Sequence, residues 1–473
     1  MISIFKRRRI DMTQGPIFKQ LITYVIPLII ANLLQMVFNL ADTLVLGVFA
    51  ENGNLCVGAV STTGALISLI TNLFIGLSTG ANVMVARYIG AKKDESIKKT
   101  IGVAVFLSVV AGAILVLVGV FCSRHFLTLT GVSDLHIDLA TRYITIYLCG
   151  APFIMLYNYC ANVLRASGDT VRPMLYITIG GVINVVLNIV LVVLTPLDVE
   201  GVAIATVVSN AFAGIACFIT LLKGQSSVKF EWKYFRIFKE EFIELLKVGV
   251  PSGINGCLFA FSNVLIVSGT NELGKIFGNH IVTGAGYANQ IDNIIYVCMN
   301  AVALSSQAFV SQNLGARKYE RIKRSFFSSL GIVSVVGVSL GVLMICIAKP
   351  LFTAISGSQL VAKATFTKTF WVGLFYVLAG LMEVMSCSLR GLGKSFTGMI
   401  VTLSGTVLFR ALWVWFIFPL KKTEAMLYCL YPISWIITVI TLAIILAVVF
   451  RNLRRRLLTA SNDAKIIKEE STN

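Results

Sequence analysis

Charge is what this chain has least of: 13% of its residues are Asp, Glu, Lys or Arg, against about 25% in an ordinary soluble domain, while 57% are hydrophobic. So little charge cannot cover a water-facing surface, which excludes a soluble globular enzyme. Histidine numbers three, and His125, His136 and His280 all fall near the ends of apolar runs. No HExxH zinc helix, Walker loop or GxGxxG phosphate loop occurs, so neither metalloprotease chemistry nor ATP hydrolysis is supported. The ten cysteines, with no CxxC spacing, read as small packing residues. Met1 to Met12 carries Lys6-Arg7-Arg8-Arg9, but no short apolar stretch with a small-residue cleavage site follows it. The first apolar segment is long enough to span a membrane.

What the chain has in quantity is apolar runs of about 20 residues, each able to cross about 30 Å of hydrocarbon as a helix. They predict an all-α polytopic membrane protein with twelve transmembrane helices. The first span lies near 18–46, the fourth near 138–161, the tenth near 367–389 and the last near 426–450. The net charge of +18 then has a membrane explanation. Arg124, Arg142, Lys275, Lys349, Lys363, Lys368, Lys421 and Lys422 fall on one side of the spans, and Arg410 within one. All other Lys and Arg gather on the opposite side with both termini. By the positive-inside rule that side is cytoplasmic, and a cell-membrane location with cytoplasmic N- and C-termini is expected.

The sequence also repeats itself. Val85-Ala86-Arg87-Tyr88-Ile89-Gly90-Ala91-Lys92-Lys93 aligns with Val310-Ser311-Gln312-Asn313-Leu314-Gly315-Ala316-Arg317-Lys318, 225 positions on. At the same offset Leu164-Arg165 and Gly168 align with Leu389-Arg390 and Gly393, and Pro27 falls one residue from alignment with Pro251. A unit containing six spans enters the membrane the same way twice, so two pseudo-symmetric six-helix bundles related by an axis along the membrane normal are expected. The resulting divisions are an N-terminal lobe over 1–224, a cytoplasmic linker over 225–239, a C-terminal lobe over 240–450 and a basic, solvated tail over 451–473.

A polar group at the bilayer centre costs about 2.5–3.5 kcal/mol on insertion scales, so those present need a reason. In the first span Asn32, Gln35, Asn39 and Asp42 follow one another at intervals of three, four and three, which aligns them on one helix face. The amides can simply hydrogen-bond to neighbouring helices. Asp42, with no basic residue near it in its span, must be protonated, ion-bound or open to a wet cavity. In the fifth span Asn184 and Asn188 are one turn apart. Counting about 1.5 Å per residue, Asn188 lies about 22 Å from Pro173 at one face and Thr206 about 8 Å from Gly201 at the other, the same depth in a 30 Å core. A carboxylate joined by amide and hydroxyl oxygens suits a monovalent cation such as Na+, and equally a carboxyl group can carry H+; the residues leave both open. No further cofactor is expected.

Taken together, the duplicated twelve-span layout, the glycine-and-basic connections after spans two and eight, the Leu-Arg-x-x-Gly turns after spans four and ten, and the intramembrane Asp42 resemble the multidrug and toxic compound extrusion (MATE) family over roughly residues 15–450. In that family a cation or proton site is formed by an Asp of span one, two polar residues one turn apart in span five and a Thr of span six. The resemblance thus assigns Asp42, Asn184, Asn188 and Thr206 to ion or proton coupling, and implies a secondary antiporter, not an enzyme, that exports small amphipathic, often cationic compounds. Asn188 stands where one prokaryotic branch has a second Asp. The acidic residues of spans seven and ten that bind the coupling ion in another branch also have no clear match, since Glu272 comes late and Glu383 lies toward the cytoplasmic end.

Asn289, Asn293, Tyr296 and Asn300 share a face of the eighth span, with Gln290 and Asp292 beside them, and with Asn32, Gln35 and Asn39 they are candidate substrate-cavity residues. Interhelical packing accounts for them equally. Glu383 and Arg410 join the candidates and can pair between consecutive spans, although their depths differ by about 10 Å. The expected partners are a small-molecule substrate and membrane lipids, not nucleic acid, with the chain a monomer. A flippase for lipid-linked saccharides and a membrane sensor or scaffold are the alternative readings.

Overall fold

The computed structural model describes residues 9–50, 52–129, 132–224 and 227–470, without the side chains of Asn54, Ala65 and 456–470. Lys6-Arg7-Arg8, Gln225 and Ser226 of the linker, and the last three residues of the tail lie outside the described residues. Within them the chain is helical throughout and forms no strand. In lipid each backbone N–H and C=O must be satisfied inside its own segment, and a helix does this for an apolar run of any sequence.

The first half contains α1 (Ile17–Phe49), α2 (Gly53–Gly90), α3 (Asp94–Leu129), α4 (Asp134–Cys149), α5 (Ala151–Ala166), α6 (Val171–Leu194) and α7 (Val199–Leu222). A short 3-10 turn, Trp232–Tyr234, precedes α8 (Lys239–Phe277), α9 (His280–Gly315), α10 (Tyr319–Ser356), α11 (Gln359–Gly373) and α12 (Tyr376–Gly391). Ser395–Leu420 is a composite span in which α13 (Ser395–Thr402) and α14 (Phe409–Leu412) alternate with π-helical turns at Leu403–Leu408 and Trp413–Ile417. The chain ends with α15 (Glu424–Tyr428) and α16 (Leu430–Glu470). Among the described residues ten helices are long and apolar enough to cross a membrane, and counting each of two bent pairs as one span brings the total to twelve.

Those bent pairs correct two of the expected spans. The fourth and tenth are not single helices over 138–161 and 367–389. They are α4 with α5, bent by 47°, and α11 with α12, bent by 46°. In the first pair the break falls at Gly150, followed by Pro152, whose ring removes a donor and fits only the first turn of a new helix. The second pair breaks after Gly373 without a proline.

The internal repeat is visible in backbone detail. Lys92 and Arg317, 225 positions apart, both take positive φ, 55° and 57°, and so do Gly168 and Gly393, at 84° and 78°. Each turn is closed by the same six-to-one bond: Lys93 N–H to Tyr88 O and Lys318 N–H to Asn313 O, both 3.0 Å, then Asp169 N–H to Leu164 O at 3.1 Å and Lys394 N–H to Leu389 O at 2.8 Å. The motifs that repeat in sequence are thus helix stops with a left-handed residue. Glycine pays no steric cost there, and the basic pair tolerates a small one.

Contacts divide the chain into two compact units, at points other than the 225–239 connection. Unit 1 takes in residues up to Asp11, Ile22–Ile89 and Lys93–Ala260; unit 2 takes in Met12–Leu21, Gly90–Lys92 and Phe261 onward. The first part of α8 belongs to unit 1 because two glycine pairs, Gly76 with Gly80 on α2 and Gly249 with Gly253 on α8, let the backbones touch. A Cβ on Gly76 would come within 2.2 Å of Gly253 Cα, and one on Gly80 within 2.5 Å of Leu245 O. Small residues four apart are how membrane helices gain close packing where no hydrophobic force drives them together. Residues 12–15 are held in unit 2 by side chains at the α9–α10 turn. Gln312 Oε1 accepts from Met12 N–H at 2.9 Å, Asn313 donates to Met12 O at 3.0 Å, and Arg321 donates to the carbonyls of Met12, Gln14 and Gly15.

The backbone of the tail is helical, since α16 continues to Glu470. No proline or glycine interrupts the chain after Pro432, and Leu, Arg, Ala, Lys and Glu are strong helix formers. From the α2–α8 crossing we expect Gly253→Leu to lower the thermal midpoint of the protein in detergent, an overpacking loss of about 1–3 kcal/mol. Gly256→Leu, where a Cβ meets only Asn72 atoms beyond 3.4 Å, should change it less.

Candidate functional site

The site is assembled in unit 1 by two adjacent glycines on α6. A Cβ on Gly180 would lie 2.8 Å from Ser209 O, so α7 packs on α6 backbone to backbone. A Cβ on Gly181 would overlap the Phe38 ring at 1.8 Å, so α1 seats an aromatic side chain in the space its neighbour leaves. One turn further along, Asn184 and Asn188 of α6 therefore meet Thr206 of α7 and Asp42 of α1.

The four residues expected to act together form one hydrogen-bonded chain. Asn188 Nδ2 donates to Asp42 Oδ1 at 2.5 Å and to Asn184 Oδ1 at 3.2 Å; Asn184 Nδ2 donates to Thr206 Oγ1 at 3.3 Å; Thr206 Oγ1 donates to Val202 O at 3.0 Å. Asp42 is 9% exposed, Asn188 fully buried, and no basic side chain contributes to the environment of the carboxylate. Asn188 Oδ1 is buried with no hydrogen-bond partner among the described residues. A carboxylate and a threonine hydroxyl are thus linked through two asparagine amides, one of which keeps a buried oxygen unused, and no ion pair to the acid occurs among the described residues; this donor set fits a small hard cation or a proton. Sequence reasoning missed Tyr143 and Tyr147 of α4. Their rings stack at 6.2 Å between centroids on α4, which packs against α7, the helix that carries Thr206.

The rest of the first-span stripe is not drawn in. Asn32 is half-buried, Gln35 and Asn39 are exposed, and none of the three makes a side-chain hydrogen bond among the described residues.

In unit 2 the candidates separate into four places. Asn289 accepts a hydrogen bond from the Lys368 ammonium, which also donates to Ala285 O at 3.4 Å and lies 3.9 Å from Asp292 Oδ2. Gln290, Asn293 and Tyr296 are exposed. Glu383 does not pair with Arg410, the pairing considered from sequence; its carboxylate takes Arg390 Nη2 at 3.0 Å, two helical turns along the same helix. Arg410 is fixed instead by Ser434 Oγ at 3.2 Å and by the faces of Tyr431 and Trp435, at 4.6 and 5.9 Å from the ring centroids. The π-helical turns on either side of it shift the register of that span, so a 3.6-residue count misplaces its side chains. Lys368 was also misread, as one of the basic residues outside the spans. It is 2% exposed within α11.

Among the described residues no cluster of His, Cys, Asp and Glu could hold a metal by itself, and the cysteines form no disulfide.

The family model MatE matches residues 27–190 and again 251–416, once in each repeat. The chain belongs to the MATE family of multidrug efflux transporters. It is 25% identical over 390 residues to the probable multidrug resistance protein YoeA of Bacillus subtilis, covering 80% of this chain and 82% of that one. It is 23% identical over 410 residues to the multidrug export protein MepA of Staphylococcus aureus, covering 85% and 88%. Among solved structures it resembles a MATE protein in complex with MaL6, with a TM-score of 0.87 at 20% identity over 95% of this chain and 100% of that one. It also resembles a MOP superfamily transporter from Pyrococcus furiosus, with a TM-score of 0.84 at 21% identity over 95% and 98%. These likenesses establish a twelve-helix MATE fold in a multi-pass membrane protein.

In this MATE protein the Asn188–Asp42 bond is a charge-assisted contact between helices far apart in sequence. Asn188→Leu should destabilise the purified protein by about 1.5–3 kcal/mol, the range for a hydrogen bond to a charged group. In a double-mutant cycle on thermal unfolding, most of that loss should disappear when Asp42→Leu is already present.

Proposed function

We propose that the chain is a secondary antiporter that exports small amphipathic, often cationic organic compounds in exchange for Na+ or H+ by alternating access, with Asp42, Asn184, Asn188 and Thr206 as the coupling site. The observation that carries this reading is the buried Asp42 carboxylate, which has hydrogen-bond donors but no basic partner, beside the unused Asn188 Oδ1. A bare negative charge at that depth is costly, so a conformation that seals the site from water favours a bound cation or proton, and one that opens it lets the charge be hydrated. Occupancy and conformation are thereby linked. The coupling ion is substrate here: Asp42 neutralises it, Asn188 Oδ1 and Thr206 Oγ1 supply oxygens, and Asn184 holds both partners in place through its amide. Each charge moving inward through 100 mV supplies about 2.3 kcal/mol, enough for more than tenfold accumulation of exported compound.

The positive-inside distribution supports a cell-membrane protein with cytoplasmic termini, and a single chain carries both repeats, so a monomer suffices. Exposed Gln35, Asn39, Asn293 and Tyr296 are the polar and aromatic groups left free to meet a substrate.

The test is efflux of a cationic dye from proteoliposomes under separately imposed Na+ and pH gradients. Gradient-driven efflux is expected to be lost in Asp42→Asn, with insertion and thermal midpoint retained. Thr206→Val should instead require a higher concentration of the driving ion at similar maximal rate. The gradient that drives the wild type identifies the ion, and undiminished efflux by Asp42→Asn removes the site from the mechanism.

A further inference from the structure

Unit 2 holds a second buried charge cluster that the coupling reading does not use. The Lys368 side chain, 2% exposed on α11, ends among three oxygens of α9: Asn289 Oδ1, to which it donates; Ala285 O at 3.4 Å; and Asp292 Oδ2 at 3.9 Å. The face of the Tyr428 ring, 5.9 Å away at its centroid, closes another side. Tyr376 on α12 donates to the backbone carbonyl of Asp292 at 2.9 Å and so fixes that part of α9. One carboxylate, one amide oxygen, one carbonyl oxygen and an aromatic face are the surroundings of a bound monovalent cation, with an ammonium group in its place.

The internal repeat makes the comparison specific. Lys368 stands 225 positions after Tyr143, and α11 corresponds to α4 at its first residue and in its bend. In unit 1 the corresponding place on that helix carries the Tyr143 phenol, and Asp42 has no ion-pair partner among the described residues. In unit 2 it brings an ammonium group to Asp292. The acids themselves do not correspond, since Asp42 aligns with Val267 and Asp292 with Ile67, so each half has placed its own acid at depth on a different helix.

We infer that the Lys368 ammonium is a tethered cation filling an oxygen-lined monovalent-cation site in the C-terminal half, and that this half consequently takes up no free Na+ or K+. Ion uptake is confined to unit 1 for as long as Lys368 is present, whichever ion Asp42 takes. Removing the ammonium leaves Asp292, Asn289 and the Ala285 carbonyl facing a vacated site and converts the cluster into an acquired binding site for a free cation.

The experiment measures uptake of radiolabelled Na+, and of Rb+ standing for K+, by purified full-length protein in detergent, with choline holding the ionic strength. In the Asp42→Asn background, which removes the unit 1 acid, protein with Lys368 intact should bind neither ion. Lys368→Met in that background should gain one saturable site per chain and a thermal midpoint that rises with the bound ion and not with choline. Adding Asp292→Asn should abolish both gains. Lys368→Gln serves as the second variant if the methionine protein does not fold. The inference is overturned if the folded Lys368 variant acquires no site for either ion, or if Asp42→Asn protein with Lys368 intact binds an ion in an Asp292-dependent way. Failure of the Asp42 coupling reading is seen separately, as undiminished dye efflux in Asp42→Asn with unit 2 untouched.

Discussion

A charge carried into hydrocarbon must be met by a polar, charged or aromatic group at the same depth, and the polar interior of this protein is arranged by that constraint. Four solutions occur. Glu383 is met by Arg390 on its own helix, Asp292 by Lys368 from a neighbouring one, and Arg410 by the faces of Tyr431 and Trp435 with a serine hydroxyl. Asp42, the fourth, has a hydrogen-bond donor and no ion-pair partner among the described residues. The first two are ion pairs, which bring little net stability while strongly penalising loss of one partner, and the third is a cation held by aromatic faces and a hydroxyl without a counter-charge. The fourth is balanced only when something mobile arrives, which is the property a coupling site needs.

Glycine is the second element of the design, because it determines which helices come near enough to share a charge. Gly180 and Gly181 bring α7 and α1 onto adjacent positions of α6, directly below the two asparagines. Gly76, Gly80, Gly249 and Gly253 bring α8 onto α2 so closely that the first part of α8 packs with the N-terminal unit. Van der Waals contact at these crossings replaces the hydrophobic drive that a lipid environment cannot supply.

Duplication supplied a framework in which the two halves diverged. The helix stops kept their left-handed residues and their six-to-one bonds, since a stop misplaced by one residue would rotate the following span by about 100° and present the wrong face. The side chains aimed inward were free to change. Tyr143 in one half and Lys368 in the other occupy corresponding places, one a phenol and the other an ammonium group that faces an acid of α9.

The twelve apolar crossings, the doubling at 225 residues and the isolation of Asp42 could be read from the chain alone. Span length, period and the cost of a buried charge are properties of short stretches, and the depths of Asn188 and Thr206 follow from helix rise. Tertiary structure decided what neutralises each charge. Glu383 turned along its own helix instead of across to Arg410, and Arg410 sits among π-helical turns that no regular count anticipates. Lys368, at the margin of an apolar run, proved buried because the bend after Gly373 tilts α11 inward against α9. Sequence sets how deep a side chain lies and on which face of its helix. Which neighbour it meets depends on bends, close glycine crossings and register shifts, which arise only when helices pack.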